Sequence, residues 1–523
     1  MRLFSFCIIV FAMFFSCSDQ EKKQESALQP IEIKSSNPKA IEFYRDAKIK
    51  LFNGEEIEAK QGFLSALRLD PNFFMANTDI NEDNIKLKQS FTNKARNSVL
   101  KANEFEKLYF KYKTTPSRFE KRKIAQQIIE KYPNNYEGYI MKGLTHSWWE
   151  VDTEEAQNLF KKAIEIDPNN LSANFNIVEY KYNGAQTAFS LRNDIEFYES
   201  FNNDASNLID KFPNNIRVLS TMALIYRNSM IDEDQSRYEK SLDLYKRALE
   251  IANESGSSVK AKITRDIGDL YVMSGQKSEG VTSIKQAIDI SQDNSQNILN
   301  NFALINAYIY MGDYLNAVKS IDNFLGSING YGFTEEEKLQ CLVGGNYHKA
   351  IIFAHANQKK RAKQSLTEYK KQSDELIKFY GWERDKVHGI VGRMGVRSGD
   401  KVEWTELSPY SQLNNEIWVD ILIGNYDKAK DLLKQIKETY NDDSYSFRGI
   451  LDIMQGKMGE GIKNLEKTNA RYPLYFKAQA FKNSGQIDKA TQLLDSIRFL
   501  PIQNLFNALV VKRSSDLYKQ IKK

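Results

Sequence analysis

Small and apolar residues recur at fixed distances after glycine along much of this chain. In six places a glycine is followed five residues later by a small residue and four residues after that by an apolar one. The glycine is suited to end a first helix in the left-handed conformation, and the small residue lets a second helix approach closely. With asparagine tolerated in the glycine position, the pattern predicts helical hairpins at Gly54/Ala59/Phe63, Gly275/Gly280/Ile284, Gly312/Ala317/Ile321, Gly424/Ala429/Leu433, Gly456/Gly461/Leu465, Gly485/Ala490/Leu494 and Asn357/Ala362.

Two stretches carry the fullest version of the pattern. One runs from Phe43 to Pro71 and the other from Ile140 to Pro168, with small and aromatic residues at matching spacings. Each ends in Asp-Pro-Asn, and both resemble the tetratricopeptide repeat, whose period is about 34 residues. The resemblance implies an all-α fold, a right-handed superhelical solenoid of antiparallel helix pairs, with roughly ten units from about residue 37 to the C-terminus.

The repeat phase also suggests a division into blocks. We expect an N-terminal block at 37–215, a central block at 216–378 and a C-terminal block at 413–523. Residues 379–412 interrupt the phase with closely spaced glycines and with Trp382 and Trp404. Long irregular insertions are often functional, and the alternative is a joint between two blocks.

The first residues predict export and lipid attachment. Residues 1–16 have a charged start and a short apolar region, too short to span a bilayer as a permanent helix. The pair Ser16-Cys17 resembles the bacterial lipobox, which implies that Cys17 is acylated and becomes the first residue of the mature protein. The alternatives are a signal peptide cleaved elsewhere and an uncleaved anchor.

Residues 17–36 are predicted to form a flexible tether. The segment after Cys17 is polar, with charges of both signs, and cannot bury enough apolar surface to fold. Its first residues resemble those of outer-membrane lipoproteins, and its composition resembles the tethers of surface lipoproteins in the Bacteroidota. These resemblances imply an outer-membrane lipoprotein of the cell envelope, on either the periplasmic or the surface face.

Charge and cysteine content narrow the class of function. The 73 Lys and Arg residues and 68 Asp and Glu residues are interspersed and leave a net charge of +5. Because nucleic-acid-binding proteins concentrate basic residues on one face, we expect no nucleic-acid partner. With Cys7 in the signal peptide and Cys17 lipidated, Cys341 is alone, and we expect it to be a small buried apolar group.

The sequence contains few candidates for chemistry. It has no HExxH, GxSxG, phosphate-binding loop or CxxC motif. His348 and His355 are seven residues apart on one predicted helix, hence about 10 Å apart, too far to bind the same zinc ion. We therefore expect no enzymatic activity, cofactor or metal.

Two binding hypotheses remain. In the first, the chain is a membrane-anchored scaffold, involved in envelope assembly, whose first helices line a groove for protein or peptide segments. Its candidate contact residues are Tyr139, Lys142, Asn301, Tyr308, Trp382 and Trp404. The alternative is a glycan-capture lipoprotein of the outer membrane, for which we expect Trp382, Trp404 and Trp418 to form one exposed aromatic shelf. Trp148 and Trp149 fit either ligand stacking or core packing, and the oligomeric state stays open.

Overall fold

The protein is an all-α helical-repeat solenoid. The computed structural model describes residues 31–80, 85–115, 117–146, 153–183, 185–231, 235–379, 411–435, 441–468, 471–502 and 504–523. Those residues form twenty-six α-helices and no β-strand. Successive helices pack against each other as hairpins, which confirms the fold class expected from the repeat pattern.

The first half of the chain contains six units, each made of a first helix and a second helix. Their helices are α1 (Pro38–Asn53), α2 (Glu56–Leu69), α3 (Phe74–Asp79), α4 (Ile85–Ser98), α5 (Glu104–Thr114), α6 (Arg118–Lys131), α7 (Tyr136–Gly143), α8 (Thr153–Ile166), α9 (Leu171–Tyr182), α10 (Ala185–Asn193), α11 (Ile195–Lys211), α12 (Ile216–Asn228) and α13 (Gln235–Glu254). In the fifth unit, the short helix α10 stands between the first helix α9 and the second helix α11.

Six further units and a final helix follow. They are built from α14 (Lys260–Met273), α15 (Lys277–Asp289), α16 (Asn294–Tyr310), α17 (Tyr314–Ser327), α18 (Glu335–His355), α19 (Lys359–Phe379), α20 (Ser411–Ile423), α21 (Tyr426–Leu433), α22 (Asn441–Met454), α23 (Met458–Leu465), α24 (Arg471–Asn483), α25 (Ile487–Ile497) and α26 (Leu505–Lys522). The described residues thus hold twelve units, against about ten from the period. The second unit, whose first helix has only 6 residues, matches the repeat pattern poorly and is not marked by it in the sequence.

The hairpin turns have the predicted backbone conformation. Gly54 has a φ angle of 82°, and Asn357, in the same position of its unit, has a φ angle of 56°. The other five predicted turn glycines, Gly275, Gly312, Gly424, Gly456 and Gly485, also have positive φ angles. Because this conformation ends the first helix, the turn prediction is confirmed at all seven positions.

The Pro-Asn sequences at the unit ends start the following helices. Asn135, Asn170 and Asn215 follow these prolines, and each side chain accepts a hydrogen bond from a main-chain N–H in the first turn of the next helix. Asparagine is among the residues preferred at this capping position. The motif that closes one unit therefore also begins the next.

Units far apart in sequence touch in the first half of the chain. The guanidinium of Arg217, on α12, lies 4.6 Å from the ring centres of both Phe52 and Phe175 and donates to the main-chain oxygen of Phe52. The hydroxyl and the main-chain N–H of Ser258 both donate to the carboxylate of Glu58. The first unit thus contacts the sixth unit and the turn after it, whereas a linear repeat array has only nearest-neighbour contacts.

A second long-range contact joins the eighth unit to the C-terminal helix. Helix α26 packs against α16 as well as against α24 and α25. The ring of Phe506, on α26, lies 4.7 Å from the ring of Tyr472, 6.0 Å from that of Trp418 and 6.4 Å from that of Tyr347. These aromatic side chains fill the space between the first helices α18, α20 and α24.

The apolar core continues across the predicted boundary between the central and C-terminal blocks. One cluster of buried residues runs from Ile298 to Leu517 and includes residues on both sides of the segment 379–412. Residues 380–410 themselves lie outside the described residues, so the insertion or joint stays a prediction. The units before and after it share one core.

A buried ionic cluster joins α12 to α14. Arg227, 3% exposed, lies 3.5 Å from a carboxylate oxygen of Asp269 and 3.9 Å from one of Asp266. Burial acts to raise the pKa of Asp266, but the charges of Lys262 and Arg265 outweigh it and hold that pKa well below its usual range. Burial raises the pKa of Asp269 to about 7, although Arg227 and Arg265 oppose the shift. The two carboxyl groups, three residues apart, thus differ in protonation at neutral pH.

Candidate partner-binding surface

The predicted contact residues of α7 are engaged inside their own unit. The hydroxyl of Tyr139 donates to the main-chain oxygen of Pro133 at 3.1 Å. The ammonium of Lys142 lies 3.1 Å from the carboxylate of Glu155, on the second helix of the unit, and its side chain is 18% exposed. Both residues therefore stabilise the hairpin, and their part in partner binding stays a prediction.

The predicted contact residues of α16 are also drawn into packing. Asn301 is 9% exposed and donates its amide to the main-chain oxygen of Asn297, one turn earlier on the same helix. Tyr308 is partly buried against the apolar clusters that include the final helix. The structure does not bring these residues together with Tyr139 and Lys142 into one surface, and their part in binding also stays a prediction.

Several other predicted residues lie outside the described residues. They are Cys17, Trp148, Trp149, Trp382 and Trp404. Trp418 is described and is 9% exposed, with its ring packed against Phe447 and Tyr472. The aromatic shelf that glycan capture requires thus lacks one of its three expected members, because that tryptophan belongs to the core.

A polar surface on the first helices of the first three units is the strongest candidate site. Its centre is the buried carboxylate of Asp79, at the end of α3, which accepts hydrogen bonds from the hydroxyls of Tyr44 on α1 and Tyr109 on α5, each at 2.7 Å. The ammonium groups of Lys48 and Lys113 lie 3.1 Å and 3.4 Å from the same carboxylate. We call these five residues the N-terminal polar face.

The charges of the N-terminal polar face are fixed by their surroundings. Burial acts to raise the pKa of Asp79, but Lys48 and Lys113 outweigh it and hold that pKa well below its usual range. The carboxylate therefore stays ionised, while the side chains of Lys48 and Lys113 are 38% and 39% exposed. Two ammonium groups thus share one buried carboxylate, and Lys48 also interacts with Glu137 on α7, whose pKa is raised by burial.

The repeat pattern does not single out this surface. The second unit, which supplies Asp79, matches the repeat poorly in sequence because its first helix has only 6 residues. Lys48 directly follows the packing residue Ala47, which is the kind of position from which groove residues are expected. A charged residue directly beside a packing position on a first helix is the sequence signal that could have indicated the N-terminal polar face.

Elsewhere in the chain, the cysteine and the histidine considered for catalysis or metal binding are buried. Cys341 is 0% exposed, and burial raises the pKa of its thiol to about 12, as expected for a packing cysteine. His348 is buried with its Nδ1 2.8 Å from the main-chain oxygen of Gly344, and burial lowers its pKa to about 4. Within the described part of the chain, no group of three or more His, Cys, Asp or Glu side chains is placed to hold a metal ion.

Comparison with known families supports the repeat assignment. Residues 136–170, which span α7 and α8, match the family model described as Tetratricopeptide repeat. The chain contains a tetratricopeptide repeat. The matched residues coincide with the second of the two fullest copies of the pattern, and the tetratricopeptide fold explains their helical hairpin. No curated protein matches the sequence.

Solved structures with a similar arrangement of helices include three examples. One is from the functional characterization of Pseudomonas aeruginosa pilF, with 15% identity, a TM-score of 0.28 and coverage of 47% of this chain and 96% of that one. A tetratricopeptide repeat protein from Parabacteroides merdae ATCC 43184 has 13% identity, a TM-score of 0.32 and coverage of 57% and 98%. A human IFIT1 dimer with PPP-AAAA has 14% identity, a TM-score of 0.34 and coverage of 83% and 95%. At these TM-scores, the likenesses carry no argument about function.

In the part of the chain that the structure describes, no helix has both the length and the apolar character needed to cross a bilayer.

Proposed function

We propose that this protein is a tetratricopeptide scaffold that binds acidic protein segments on its N-terminal polar face. The observation that carries this proposal is the pair of lysines with partly exposed side chains, Lys48 and Lys113, on two different first helices. Both are anchored to the buried carboxylate of Asp79, so their positions are set before a partner arrives. Preorganised charges need less ordering on binding, which favours affinity.

The side chains that lie between the first helices differ between the two halves of the array. In the C-terminal half, aromatic rings of Tyr347, Trp418, Tyr472 and Phe506 fill the space between first helices. In the first three units, the corresponding space holds the buried hydroxyls of Tyr44 and Tyr109 and the buried carboxylate of Asp79. The ammonium groups of Lys48 and Lys113 lie beside them, on side chains that are partly exposed. Charged groups that can bind a partner segment therefore lie at the N-terminal end of the array.

We expect that replacing both Lys48 and Lys113 by glutamine weakens partner binding by more than about 1 kcal/mol, roughly fivefold or more. Wild-type and variant full-length proteins would be used to capture partners from detergent-solubilised membranes of the source organism, with mass spectrometry as the readout. Lys39→Gln is the matched control, since Lys39 is an exposed lysine on the same helix as Lys48. Circular dichroism would check that each variant keeps its helices.

Captured proteins that bind wild type and Lys39→Gln but are lost from the double variant support the proposal, and their acidic segments can then be synthesised and titrated. Equal recovery of the same proteins on all three baits would contradict it.

We further propose that the scaffold is attached to the outer membrane through acyl chains on Cys17. The support is the sequence at 1–17, with its charged start, short apolar region and small residue before the cysteine. Several acyl chains give stable attachment, since each buried CH₂ contributes about 0.8 kcal/mol and a single chain is marginal. The polar residues that follow would hold the array away from the bilayer.

Replacing Cys17 by serine is expected to leave an unprocessed precursor. The measurement is the mass and membrane partition of the protein after expression in a bacterial host with lipoprotein processing. The Cys7→Ser variant, altered inside the predicted signal peptide, is the control that should be processed normally. Recovery of Cys17→Ser in the membrane fraction at the processed, acylated mass would show that the anchor lies elsewhere.

A further inference from the structure

A cleft opens where the C-terminal helix meets the eighth unit. It has a volume of about 560 Å³ and lies between the start of α17, the end of α24 and the second half of α26. Its walls include Tyr314, Tyr475, Lys482, Lys512 and Arg513. We call it the closure cleft. Its volume falls in the range of about 300–1,000 Å³ that is usual for small-molecule sites.

The charges that line the closure cleft do not balance. Three cations, Lys482, Lys512 and Arg513, face a single lining carboxylate, that of Asp516. That carboxylate is bound by the ammonium of Lys512 on the same helix. Among the described residues, Lys482 has the side-chain oxygen of Gln520 as its hydrogen-bond partner, at 3.4 Å. The cleft therefore keeps the positive charge of both Lys482 and Arg513.

Arg513 is positioned by contacts with a main-chain oxygen and a tyrosine ring. Its Nη2 donates to the main-chain oxygen of His355 at 3.0 Å, and its guanidinium lies 5.7 Å from the ring centre of Tyr475. No carboxylate among the described residues forms an ion pair with it. Burial lowers the pKa of His355, and the charge of Arg513 lowers it further. That added effect is expected from a guanidinium whose field is not cancelled nearby.

The surroundings of these cations suit an organic anion. The guanidinium plane presents parallel N–H donors that match the oxygens of a phosphate or a carboxylate. The phenol groups of Tyr314 and Tyr475 and the amide of Gln479 add polar and aromatic surface to the same cleft. We propose that the closure cleft binds a small molecule carrying a phosphate or carboxylate group, with Arg513 and Lys482 as its main charged contacts.

This site does not depend on the scaffold function proposed above. Its residues belong to α17, α24 and α26, whereas the N-terminal polar face belongs to α1, α3 and α5. A ligand bound here also contacts the two elements that close the C-terminal half, so it should stabilise that contact by binding the folded form alone.

Isothermal titration calorimetry on the full-length protein tests the proposal. Pyrophosphate and citrate are titrated separately, and sodium chloride holds the ionic strength constant. Saturable binding of pyrophosphate alone assigns the site to phosphate ligands, and binding of citrate alone assigns it to carboxylate ligands. Binding of both supports a general anion site. Failure of both to bind overturns the proposal.

Variants then locate the binding. We expect Arg513→Gln and Lys482→Gln each to weaken the affinity about tenfold, since each removes one charged contact. Arg513→Gln also removes the contact with His355, so Lys482→Gln is the decisive variant. Lys463→Gln, at an exposed lysine of α23 away from the cleft, should leave the affinity unchanged. Unchanged affinity in Lys482→Gln would show that the anion binds elsewhere and would overturn the assignment, whatever the result for Arg513→Gln.

Discussion

Replacing Asp269 by asparagine is expected to make the stability of the protein less dependent on pH between about 4 and 7. In the folded protein, burial raises the pKa of Asp269 to about 7, whereas an unfolded aspartate has a pKa of about 3.9. Between these values the folded state binds more protons than the unfolded state, so the free energy of unfolding falls as pH rises. The slope from this one group is at most about 1.4 kcal/mol per pH unit.

The neighbouring charges explain why this carboxyl group and not Asp266 keeps its proton. Asp266 lies 2.9 Å from Arg265 and 3.1 Å from Lys262. Asp269 has Arg227 at 3.5 Å, and one of its carboxyl oxygens is buried without a hydrogen-bond partner in the described residues. An asparagine at 269 imitates the protonated acid in shape and charge, so it should be tolerated best at the pH where the acid is protonated.

The measurement is the midpoint of thermal unfolding, followed by circular dichroism at pH values from 4 to 8. Relative to wild type, Asp269→Asn should gain stability as pH rises toward 8, by a total on the order of a few kcal/mol. Asp289→Asn, at an exposed position on α15, is the control and should run parallel to wild type. A constant difference between Asp269→Asn and wild type across this range would contradict the assignment.

Adding one methyl group at Gly461 is expected to destabilise the eleventh unit by about 1 to 3 kcal/mol. A Cβ atom there would lie 2.5 Å from Ile453 and 2.7 Å from the main-chain oxygen of Gly449, and the main chain cannot move aside without separating α22 from α23. At Gly459, two residues earlier on the same helix, a Cβ atom would meet no other atom within 4 Å. Alanine at 459 should therefore be neutral or stabilise the helix by up to about 1 kcal/mol.

These two predictions are tested by comparing the thermal unfolding of Gly461→Ala and of Gly459→Ala with that of wild type. Because long repeat arrays do not always unfold in one step, scanning calorimetry should accompany the optical melt. A melting temperature lowered only in Gly461→Ala is the expected result. Similar effects in both variants would mean that α22 and α23 do not approach each other as closely as their glycines indicate.

The helical hairpins can be predicted from the sequence because the residues that determine each one lie close together in it. A glycine or asparagine at the turn and a small residue five positions later are enough to set one unit, and Gly54 and Asn357 show both versions of the turn. The number of units is harder to predict, because the second unit, with a first helix of only 6 residues, matches the pattern poorly. The period alone cannot reveal a change in helix length.

The N-terminal polar face cannot be predicted from the same pattern. Asp79 belongs to a unit with a very short first helix, and its partners Tyr44 and Tyr109 are 35 and 30 residues away. Asn301 and Tyr308 are expected from the sequence to face a groove, and their part in binding stays a prediction. In the structure, Asn301 is 9% exposed, and Tyr308 is partly buried against the apolar cluster that includes residues of α26. Such contacts depend on how the array curves, which no single repeat encodes.

The contact of Arg217 with Phe52 restricts the number of units between the first unit and the sixth. Repeat proteins commonly tolerate the gain or loss of a whole unit, because each unit touches only its neighbours. Here, a unit inserted or deleted between the first and the sixth would move the guanidinium of Arg217 away from the rings of Phe52 and Phe175. Arg217 would then lose its stacking partners, and Ser258 would lose the carboxylate of Glu58. In this part of the chain, a whole unit therefore cannot be gained or lost without breaking the contacts between the first unit and the sixth.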